Sequence, residues 1–254
     1  MNVTPIKTRI FKEGEGLLAF ISEHVRKIPE RSIIVVTSKI VALSERRTEP
    51  HTNERRKIAL IKRESQFAMK TKYVWLTVKD NLVMATAGID ESNGNGKLIL
   101  LPRDSFATAA IVRKQIMRAH RLKRLGVIVT DSRCIPFRAG IVGVALGYAG
   151  FRGIKDYRAK RDLFGRGFHF SRVDVADSLA TAAVLTMGEG SESQPLAIIQ
   201  NAPVEFSDRG ERHELEIDPR DDMYRPLFAK IGKISPFARK SGEKPGVEIQ
   251  YKQP

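Results

Sequence analysis

The chain has 254 residues, of which 42% are hydrophobic and 29% charged, an ordinary composition for a globular protein. Its length allows one large domain or two small ones around a substantial core. No apolar run approaches the roughly 20 residues that cross a bilayer, and the first residues lack the apolar segment of a secretory signal. Cys134 is the single cysteine and cannot form an internal disulfide, so we expect a cytoplasmic protein.

The chain is strongly basic. It carries 44 Lys and Arg against 29 Asp and Glu, which gives a formal net charge of +15 and an isoelectric point near 10.1. A field of this sign attracts phosphates, nucleic acid or acidic polymers. Two segments concentrate the charge, residues 113–124 and 152–166. Because a charged cluster is often only a solvated face, the charge alone does not identify a partner.

The first half of the chain alternates between helical and strand patterns. Apolar spacing predicts a helix over Glu13–Lys27, and the nearly continuous apolar run Ser32–Leu43 predicts a buried strand. A charged helix is expected from about Asn53 to Lys70. The segments "YVWLTV" and "LVMATAGI" predict two paired strands, with Trp75 as a packing residue.

The segment "TAGIDESNGNGKLILLP" places two acidic residues before a flexible turn. One interpretation is a β-hairpin, since the two Asn-Gly pairs tolerate positive φ and Lys97–Leu101 supplies a return strand. The other interpretation is that Asp90, at the end of an apolar strand, is held there for chemistry. This segment alone leaves both interpretations open.

The second half of the chain shows the same alternation. An amphipathic helix is predicted over "FATAAIVRKQIMRAHRLKR", followed by a short buried strand that ends at Asp131. Gly140–Phe151 is typical of a strand of small and apolar residues. A second helix is predicted from Asp174 as N-cap to Met187, and Leu196–Gln200 reads as another buried strand.

Strands alternating with helices indicate an α/β protein. We expect one domain over residues 1–206. From about residue 207 the composition turns polar, and residues 207–254 predict a short helix near 223–231 and a basic, partly mobile tail.

Three acidic residues follow buried elements and stand beside small residues. Asp90 and Asp131 each come after an apolar strand, and Glu189 lies between two glycines after the second helix. Ligand sites in open sheets form at such ends. These three carboxylates, with the hydroxyl of Ser132, suit Mg²⁺ or Mn²⁺ rather than zinc. Each acid alone is equally compatible with a cap, a turn or a salt bridge, and their spacing does not prove that they meet.

Several separated motifs between about Ile33 and Gln200 resemble those of the coenzyme F420-0:γ-glutamyl ligase family, often called CofE. They are "TAGIDESN", "GVIVTDS", "PFRAGIVGVALGYAG", "KDY", "KRDLFGR", "VADSLATAAVLTMGEG" and "PLAII", in this order. The resemblance implies an α/β fold of mixed sheets with packing helices, two subdomains sharing one site, and an intertwined homodimer.

The resemblance also implies an acyl-phosphate reaction. A nucleoside triphosphate, GTP or ATP, phosphorylates an acceptor carboxylate, and the amine of L-glutamate then displaces phosphate to form an amide. Two Mg²⁺ or Mn²⁺ ions are implied, because a transferring phosphoryl group carries charge that must be neutralised. The family's metal-binding and catalytic acids fall on Asp90, Asp131 and Glu189, and a ligating hydroxyl on Ser132.

Nucleotide contacts are implied for Ser38, Arg47 and Asn93. The chain departs from the family pattern nearby, since Leu43 replaces a lysine that contacts phosphate, and we name Arg46 or Lys39 as its substitute. Further departures are Thr86 in "TAGID" and the altered tip "DSRCIPFR".

Because +15 exceeds what one small anion requires, we expect the acceptor to be a protein carboxylate. The C-terminus of a ribosomal or other RNA-associated protein, modified by polyglutamylation, is the first expectation. The alternative is F420-0 itself or a folate-like acceptor. A second alternative is an RNA-binding protein on an inactive ligase scaffold, which would bind RNA with a steep dependence on salt.

Overall fold

A computed structural model describes residues 1–158, 160–208, 212–218 and 220–226. The chain divides into two compact units, Met1–Glu216 and Ile217–Pro254. Within the described residues of the second unit, Asp218 pairs with Arg220 at 2.5 Å. The helix predicted near residues 223–231 and the basic tail fall largely outside the described residues.

Within the described part of the first unit, the chain forms strands and helices in mixed order. In chain order these are β1 (Asn2–Ile6), α1 (Leu17–His24), β2 (Ser32–Thr37), α2 (Ser38–Ser44), β3 (Thr48–Pro50), α3 (Glu54–Glu64), β4 (Phe67–Lys70), β5 (Trp75–Lys79), β6 (Leu82–Ala85), β7 (Lys97–Ile99), α4 (Ser105–His120), β8 (Leu125–Cys134), β9 (Ile141–Ala149), β10 (Ile154–Asp156), β11 (Arg172–Asp174), α5 (Val175–Met187) and β12 (Leu196–Gln200). The predicted α/β class with mixed sheets is confirmed.

A five-stranded sheet forms the centre of this unit, in the order β1-β12-β2-β8-β9. Only the β2–β8 pair is parallel, with Ser32 opposite Leu125 and Thr37 opposite Thr130. The other pairs are antiparallel. Because β2 and β8 run in the same direction, the residues after Thr37 and Thr130 lie side by side, although β8 continues to Cys134 in pairing with β9.

The two faces of the central sheet are covered by different helices. Alternate residues of β2 serve each face: Ile34 and Val36 join the core with α1, α2 and α4, whereas Ile33 and Val35 join the core with α5. A strand that is apolar on both sides reads as a continuous apolar run, as this one does in the sequence. All four of these side chains are at most 1% exposed.

Three smaller sheets accompany the central one: β3-β7, β4-β5-β6 and β10-β11. A third core lies beneath α3, where Leu60 and Ile61 pack with Leu98 and Leu100. Trp75 is partly buried against this core, which agrees with the packing role predicted for it.

Two predicted elements in the first half were wrong in extent. The run Ser32–Leu43 is a strand only to Thr37, after which α2 begins, because continuous apolar character satisfies a helix as well as a strand. The charged helix predicted to Lys70 ends at Glu64, and Phe67–Lys70 pairs with β5 as a strand. The hairpin of β5 and β6 is confirmed, with positive φ at Asp80 and Asn81 in its turn.

In the second half the predicted elements lie close to their observed bounds, except that the strand predicted to end at Asp131 continues to Cys134 as β8. The helix predicted over residues 106–124 is α4, which ends one residue before Arg121 takes a left-handed conformation. Asp174 caps α5 by accepting from the amide of Asp177, and Gly188 follows its end with φ of 82°. β1, β10 and β11 were not predicted from the sequence.

Candidate functional site

The site begins where β2 ends beside β8, at the pair of Thr37 and Thr130. Ser38 follows β2 as the first residue of α2, and Asp131 follows Thr130 in β8. The buried side chain of Ser38 lies beside the Asp131 carboxylate and lowers its pKa, against the larger effect of burial. The parallel pairing therefore places the first predicted nucleotide contact against the second predicted acid.

Asp90 reaches this edge from the loop before β7. Its backbone pairs with that of Ile99. The amide of Ile99 donates to the carbonyl of Asp90 at 2.8 Å, and the amide of Asp90 donates to the carbonyl of Ile99 at 2.9 Å. The Asp90 carboxylate accepts from the amide and hydroxyl of Ser92, at 2.7 and 3.0 Å. The predicted hairpin is wrong in its pairing, because the return strand β7 pairs with β3 and only the single bridge between Asp90 and Ile99 joins the two sides of the turn. The turn still presents the Asp90 carboxylate at this place.

Lys39 brings a positive charge to Asp90. Its Nζ lies 2.6 Å from Asp90 Oδ2 and also donates to the carbonyl and hydroxyl of Ser92, at 3.1 and 3.0 Å. Lys39 is the residue next to Ser38, so the first turn of α2 supplies both groups. Of the two cations named from the sequence, Lys39 is the one that contacts the predicted acids, whereas Arg46 packs against Gly14.

Glu189 enters from the far end of α5. The hydroxyl of Ser132 donates to Glu189 Oε2 at 3.4 Å, and the side-chain amide of Asn93 donates to the carbonyl of Gly190 at 3.5 Å. These two contacts join the loop of Asp90, the end of β8 and the end of α5. The structure therefore brings Asp90, Asp131 and Glu189 to one edge of the molecule, although they are about 100 residues apart at the extremes.

The electrostatics of the three acids differ. Burial of its carboxyl group raises the pKa of Asp131 to about 6, and the negative charges of Asp90 and Glu189 raise it further. The Ser132 amide and Ser38 act in the opposite direction and lower the pKa. Burial also raises the pKa of Glu189, with Asp90 adding to it. Burial would raise the pKa of Asp90 too, but the Lys39 hydrogen bond and charge outweigh it and the pKa is lowered.

The donor set suits a hard divalent cation. Three carboxylates and the hydroxyl of Ser132 offer only oxygen, and the pKa of Asp131 is raised by burial and then by two neighbouring negative charges, which a cation would offset. Among the described residues, no three His, Cys, Asp or Glu side chains are close enough to hold one ion. The positive charge that contacts the acids is the ammonium of Lys39.

Arg47 lies in a separate set of contacts. Its guanidinium pairs with Glu64 at 2.7 Å and donates to the carbonyl of Leu101 at 3.1 Å. These bonds tie the segment before β3 to α3. The nucleotide role predicted for Arg47 stays a prediction.

Ser92 was missed by sequence reasoning, although it bonds to both Asp90 and Lys39. A signal was present: an Asp whose side chain accepts from the amide two residues later is a common turn, and "DES" has that spacing. Glu192 was also missed; it accepts from the amide of Gly190 at 2.8 Å and so shapes the loop after Glu189. No comparable signal marks Glu192 in the sequence.

A small, partly open cavity of about 130 Å³ lies directly beside Asp131 and Ser132. Its walls are mainly apolar and come from β6, β8 and β9, with Arg133 and Cys134 as further lining residues. Leu82, Met84, Val144 and Leu146 provide apolar surface. A flat apolar ring with a polar attachment suits such a space.

A carboxylate cluster beside the parallel strand pair, with a lysine in contact with one acid and a cavity beside another, is the candidate functional site of this α/β fold. The family model for F420-0:gamma-glutamyl ligase matches residues 5–201. The chain belongs to this family, and the predicted class of enzyme, a ligase that forms carbon–nitrogen bonds, is confirmed.

Similar proteins come from methanogenic and other archaea and carry the name coenzyme F420:L-glutamate ligase. The one from Methanococcus maripaludis strain C7 is 33% identical over 225 residues, covering 81% of this chain and 90% of its own. The one from Methanocaldococcus jannaschii is 30% identical over 249 residues, covering 89% and 97%. The one from Methanothermobacter thermautotrophicus is 44% identical over 126 residues, covering 49% and 50%.

These relatives bear on the expected acceptor. Nothing in them supports a protein carboxylate or polyglutamylation of a ribosomal protein, and their names favour the alternative acceptor of the F420 type. The argument from a net charge of +15 was therefore insufficient, because total charge does not report what a single pocket holds. No helix among the described residues is long and apolar enough to cross a membrane.

Proposed function

We propose that this chain is a coenzyme F420-0:L-glutamate ligase that uses a nucleoside triphosphate. Membership of the ligase family and the names of its relatives support the acceptor and the amino acid. The observation that carries the proposal is the proximity of Asp90, Asp131 and Glu189 where β2 ends beside β8.

The reaction has two balanced steps. A carboxylate oxygen of the acceptor takes the γ-phosphoryl group, so a new O–P bond forms and the nucleoside diphosphate leaves with the electrons of the broken bond. The amine of L-glutamate then bonds to the acyl carbon, and phosphate leaves with the electrons of the C–O bond. The amine gives up one proton, and the product is an amide.

Four side chains would hold the divalent ions: Asp90, Asp131, Ser132 and Glu189. A bound Mg²⁺ or Mn²⁺ supplies positive charge for the phosphoryl oxygens. The chain itself keeps these side chains in place, since Ser38 lies beside Asp131, Ser92 holds Asp90, and Ser132 contacts Glu189.

Lys39 has a second role in the proposal. Its ammonium contacts Asp90 through a hydrogen bond that keeps the carboxylate ionised. When phosphates enter, the same ammonium can exchange this contact for a phosphate oxygen, because a lysine on a flexible stem acts as a movable point charge. This assigns to Lys39 the phosphate contact that Leu43 cannot make.

Asn93 and the cavity beside Asp131 complete the proposed site. The exposed side chain of Asn93 lies next to the loop after α5 and is free to turn toward a nucleotide. The mainly apolar cavity would take an apolar part of one substrate, and Asp131 at its wall would hold a divalent ion that attracts the phosphate-bearing part.

The test is an acceptor screen read by mass spectrometry. The protein is incubated with L-glutamate, Mg²⁺ or Mn²⁺, GTP or ATP, and either F420-0, a folate or a peptide ending in a ribosomal C-terminus. We expect F420-0 to gain one or more glutamyl units and the nucleotide to be cleaved in step with it. A glutamyl ladder on the peptide and none on F420-0 would overturn the proposal.

The Asp131→Asn variant serves as the matched test of the site. This substitution keeps the shape of the side chain and removes its charge. We expect kcat to fall at least about 100-fold, because loss of an interaction made only in the transition state lowers kcat by that much. The Asp80→Asn variant, at the exposed turn between β5 and β6, is the control and should retain activity.

A further inference from the structure

The pairing of β8 with β9 is irregular next to the site. The register shifts by one residue between Val129 and Thr130, which leaves Leu146 of β9 without an opposite residue. Such a β-bulge bends its strand and re-aims the side chains nearby. Asp131 and Ser132 are the next residues of β8, so the shape of the bulge decides where they lie.

Helix α5 holds β9 on the site side of the bulge by two hydrogen bonds. Asp177 accepts from the amide of Ala145 at 2.9 Å, and the hydroxyl of Thr181 donates to the carbonyl of Gly143 at 2.8 Å. Asp177 and Thr181 are four residues apart and therefore share one face of the helix. We call this pair the α5 clamp.

The contact between α5 and β9 is close. A Cβ built on Gly143 would lie 2.4 Å from the carbonyl oxygen of Ala180, so the backbones of helix and strand touch there. On the other side, the hydroxyl of Thr130 donates to the carbonyl of Val144 at 2.9 Å. Residues 143–145 are therefore held in place by α5 on one side and by β8 on the other.

The same helix carries Glu189 just beyond its end. Val144 lies opposite Asp131 and Gly143 opposite Ser132 in the register. Any slip of β9 along α5 would change the position of Asp131 and Ser132 relative to Glu189, whose contact with Ser132 is 3.4 Å. Helix α5 thus fixes the position of Glu189 directly and that of Asp131 and Ser132 through β9.

We propose that Asp177 and Thr181 are positioning residues of the ligase site, which act by fixing β9 at the bulge and so the spacing between Glu189 and the Asp131–Ser132 pair. Neither side chain contacts the three acids through a hydrogen bond in the described structure. The activity measurements below rest on the proposed function, whereas the exchange measurement does not.

The kinetic test uses matched pairs of variants. Asp177→Ala and Thr181→Val each remove one clamp bond, and we expect kcat to fall by about 10- to 100-fold with KM within about twofold, since small misplacements of reacting groups cost that much. Asp177→Asn keeps an acceptor oxygen for Ala145 and should stay within about threefold of the wild type. Thr186→Val is the control on the same helix, because the Thr186 hydroxyl donates, among the described residues, to carbonyls of α5 itself.

Asp177→Asn also distinguishes the effect of the clamp hydrogen bond from that of the ion pair between Asp177 and Arg133, whose charged atoms lie 3.9 Å apart. The asparagine removes the ion pair and keeps the bond to β9. If this variant is as impaired as Asp177→Ala, the ion pair and not the clamp sets the activity, and the proposal is overturned. Unchanged kcat in both Asp177→Ala and Thr181→Val overturns it as well.

Backbone hydrogen exchange tests the clamp without any substrate. We expect exchange of the amides at 143–147 to become at least about tenfold faster in Asp177→Ala and Thr181→Val and unchanged in Thr186→Val, as for loss of one net hydrogen bond. Unchanged protection in both clamp variants overturns the proposal. If the wild type shows no glutamate ligation, the proposed function fails, and the exchange result alone decides the clamp.

Discussion

Lys39 determines the charge state of the candidate site more than any other single residue. Its ammonium contacts Asp90 and Ser92, and the pKa of Asp90 is lowered although burial acts in the opposite direction. Asp131 has no such partner among its described contacts, and burial raises its pKa to about 6. The two acids therefore differ in environment although both follow apolar strands in the sequence.

Replacement of Lys39 by methionine should reveal this role. Removal of the ammonium leaves three carboxylates without their nearest described positive charge and takes away the proposed phosphate contact, so we expect kcat/KM to fall by about 100-fold or more. Lys39→Arg should lose less, because it keeps the charge. Steady-state kinetics measure the effect, with Lys62→Met, at the ring of Trp75, as control. Equal activity of Lys39→Met and the wild type would remove Lys39 from the site.

Glu64 gives a pH-dependent contribution to stability that is independent of the site. Burial would raise its pKa, but the hydrogen bond from Arg47 and the charges of Arg47 and Lys79 lower it. A lowered folded-state pKa means that the contribution is present above the unfolded value of about 4.3 and is lost as pH falls through the folded value. The Glu64 side chain is only 12% exposed, so solvent screens the pair little.

We therefore expect Glu64→Gln to destabilise the fold at pH 7 by about 1.5–3 kcal/mol, the usual range for a hydrogen bond to a charged group. The difference from the wild type should shrink as pH falls below the unfolded value of about 4.3, because the unfolded state then takes up a proton before the folded state does. Denaturant unfolding at pH 7 and pH 3.5 measures both values. A difference that stays constant across this range would show that the ion pair with Arg47 does not stabilise the fold.

At the scale of elements, sequence patterns located most of the fold. The helices α4 and α5 and the strands β5, β6, β9 and β12 follow from periodicity, caps and glycine stops. The boundary at Thr37 did not, because an apolar run gives no signal where a buried strand passes into a buried helix. Short strands such as β10 and β11 depend on pairing with each other, which no local pattern encodes.

The candidate site was predictable in part. Asp90, Asp131 and Glu189 were named as candidates because each follows a regular element, and the resemblance supplied their grouping; their role stays a prediction. The contacts of Lys39 depend on the turn from β2 into α2, which the sequence interpretation placed within a longer strand. The clamp of Asp177 on Ala145 depends on a register shift between β8 and β9, and register is a tertiary property.

Gly143 offers a direct test of how tightly α5 packs on β9. A methyl group at this position would meet the backbone of Ala180 at 2.4 Å, so Gly143→Ala must push helix and strand apart. We expect a loss of about 1–3 kcal/mol in the free energy of unfolding, as for overpacking of a tight core. Gly167→Ala is the control, since nothing lies within 4 Å of a Cβ there. Equal stability of the two variants would show that the contact is loose.

At the scale of the whole molecule, the net charge of +15 is only partly available to a ligand. Arg113, in the first basic segment, donates to the carbonyl of Leu125 at 2.8 Å and pairs with Asp208 at 2.5 Å. Arg158, in the second, pairs with Asp156 at 2.5 Å. Since such residues are engaged in ion pairs and hydrogen bonds within the protein, the net charge is a poor guide to the size of the substrate.

The association state is the last property we predict. Three large apolar side chains are almost fully exposed: Phe137 at 102%, Leu163 at 99% and Phe164 at 95%. Their exposure to water costs free energy, which burial against a second copy of the chain would recover. Together with the dimer implied by the family resemblance, this leads us to expect twice the chain mass of 28.5 kDa in light scattering. Replacing all three side chains by serine should give the single mass without unfolding, while Leu185→Ser, at another exposed position, should leave the dimer intact. A wild-type protein with the mass of one chain would contradict the prediction.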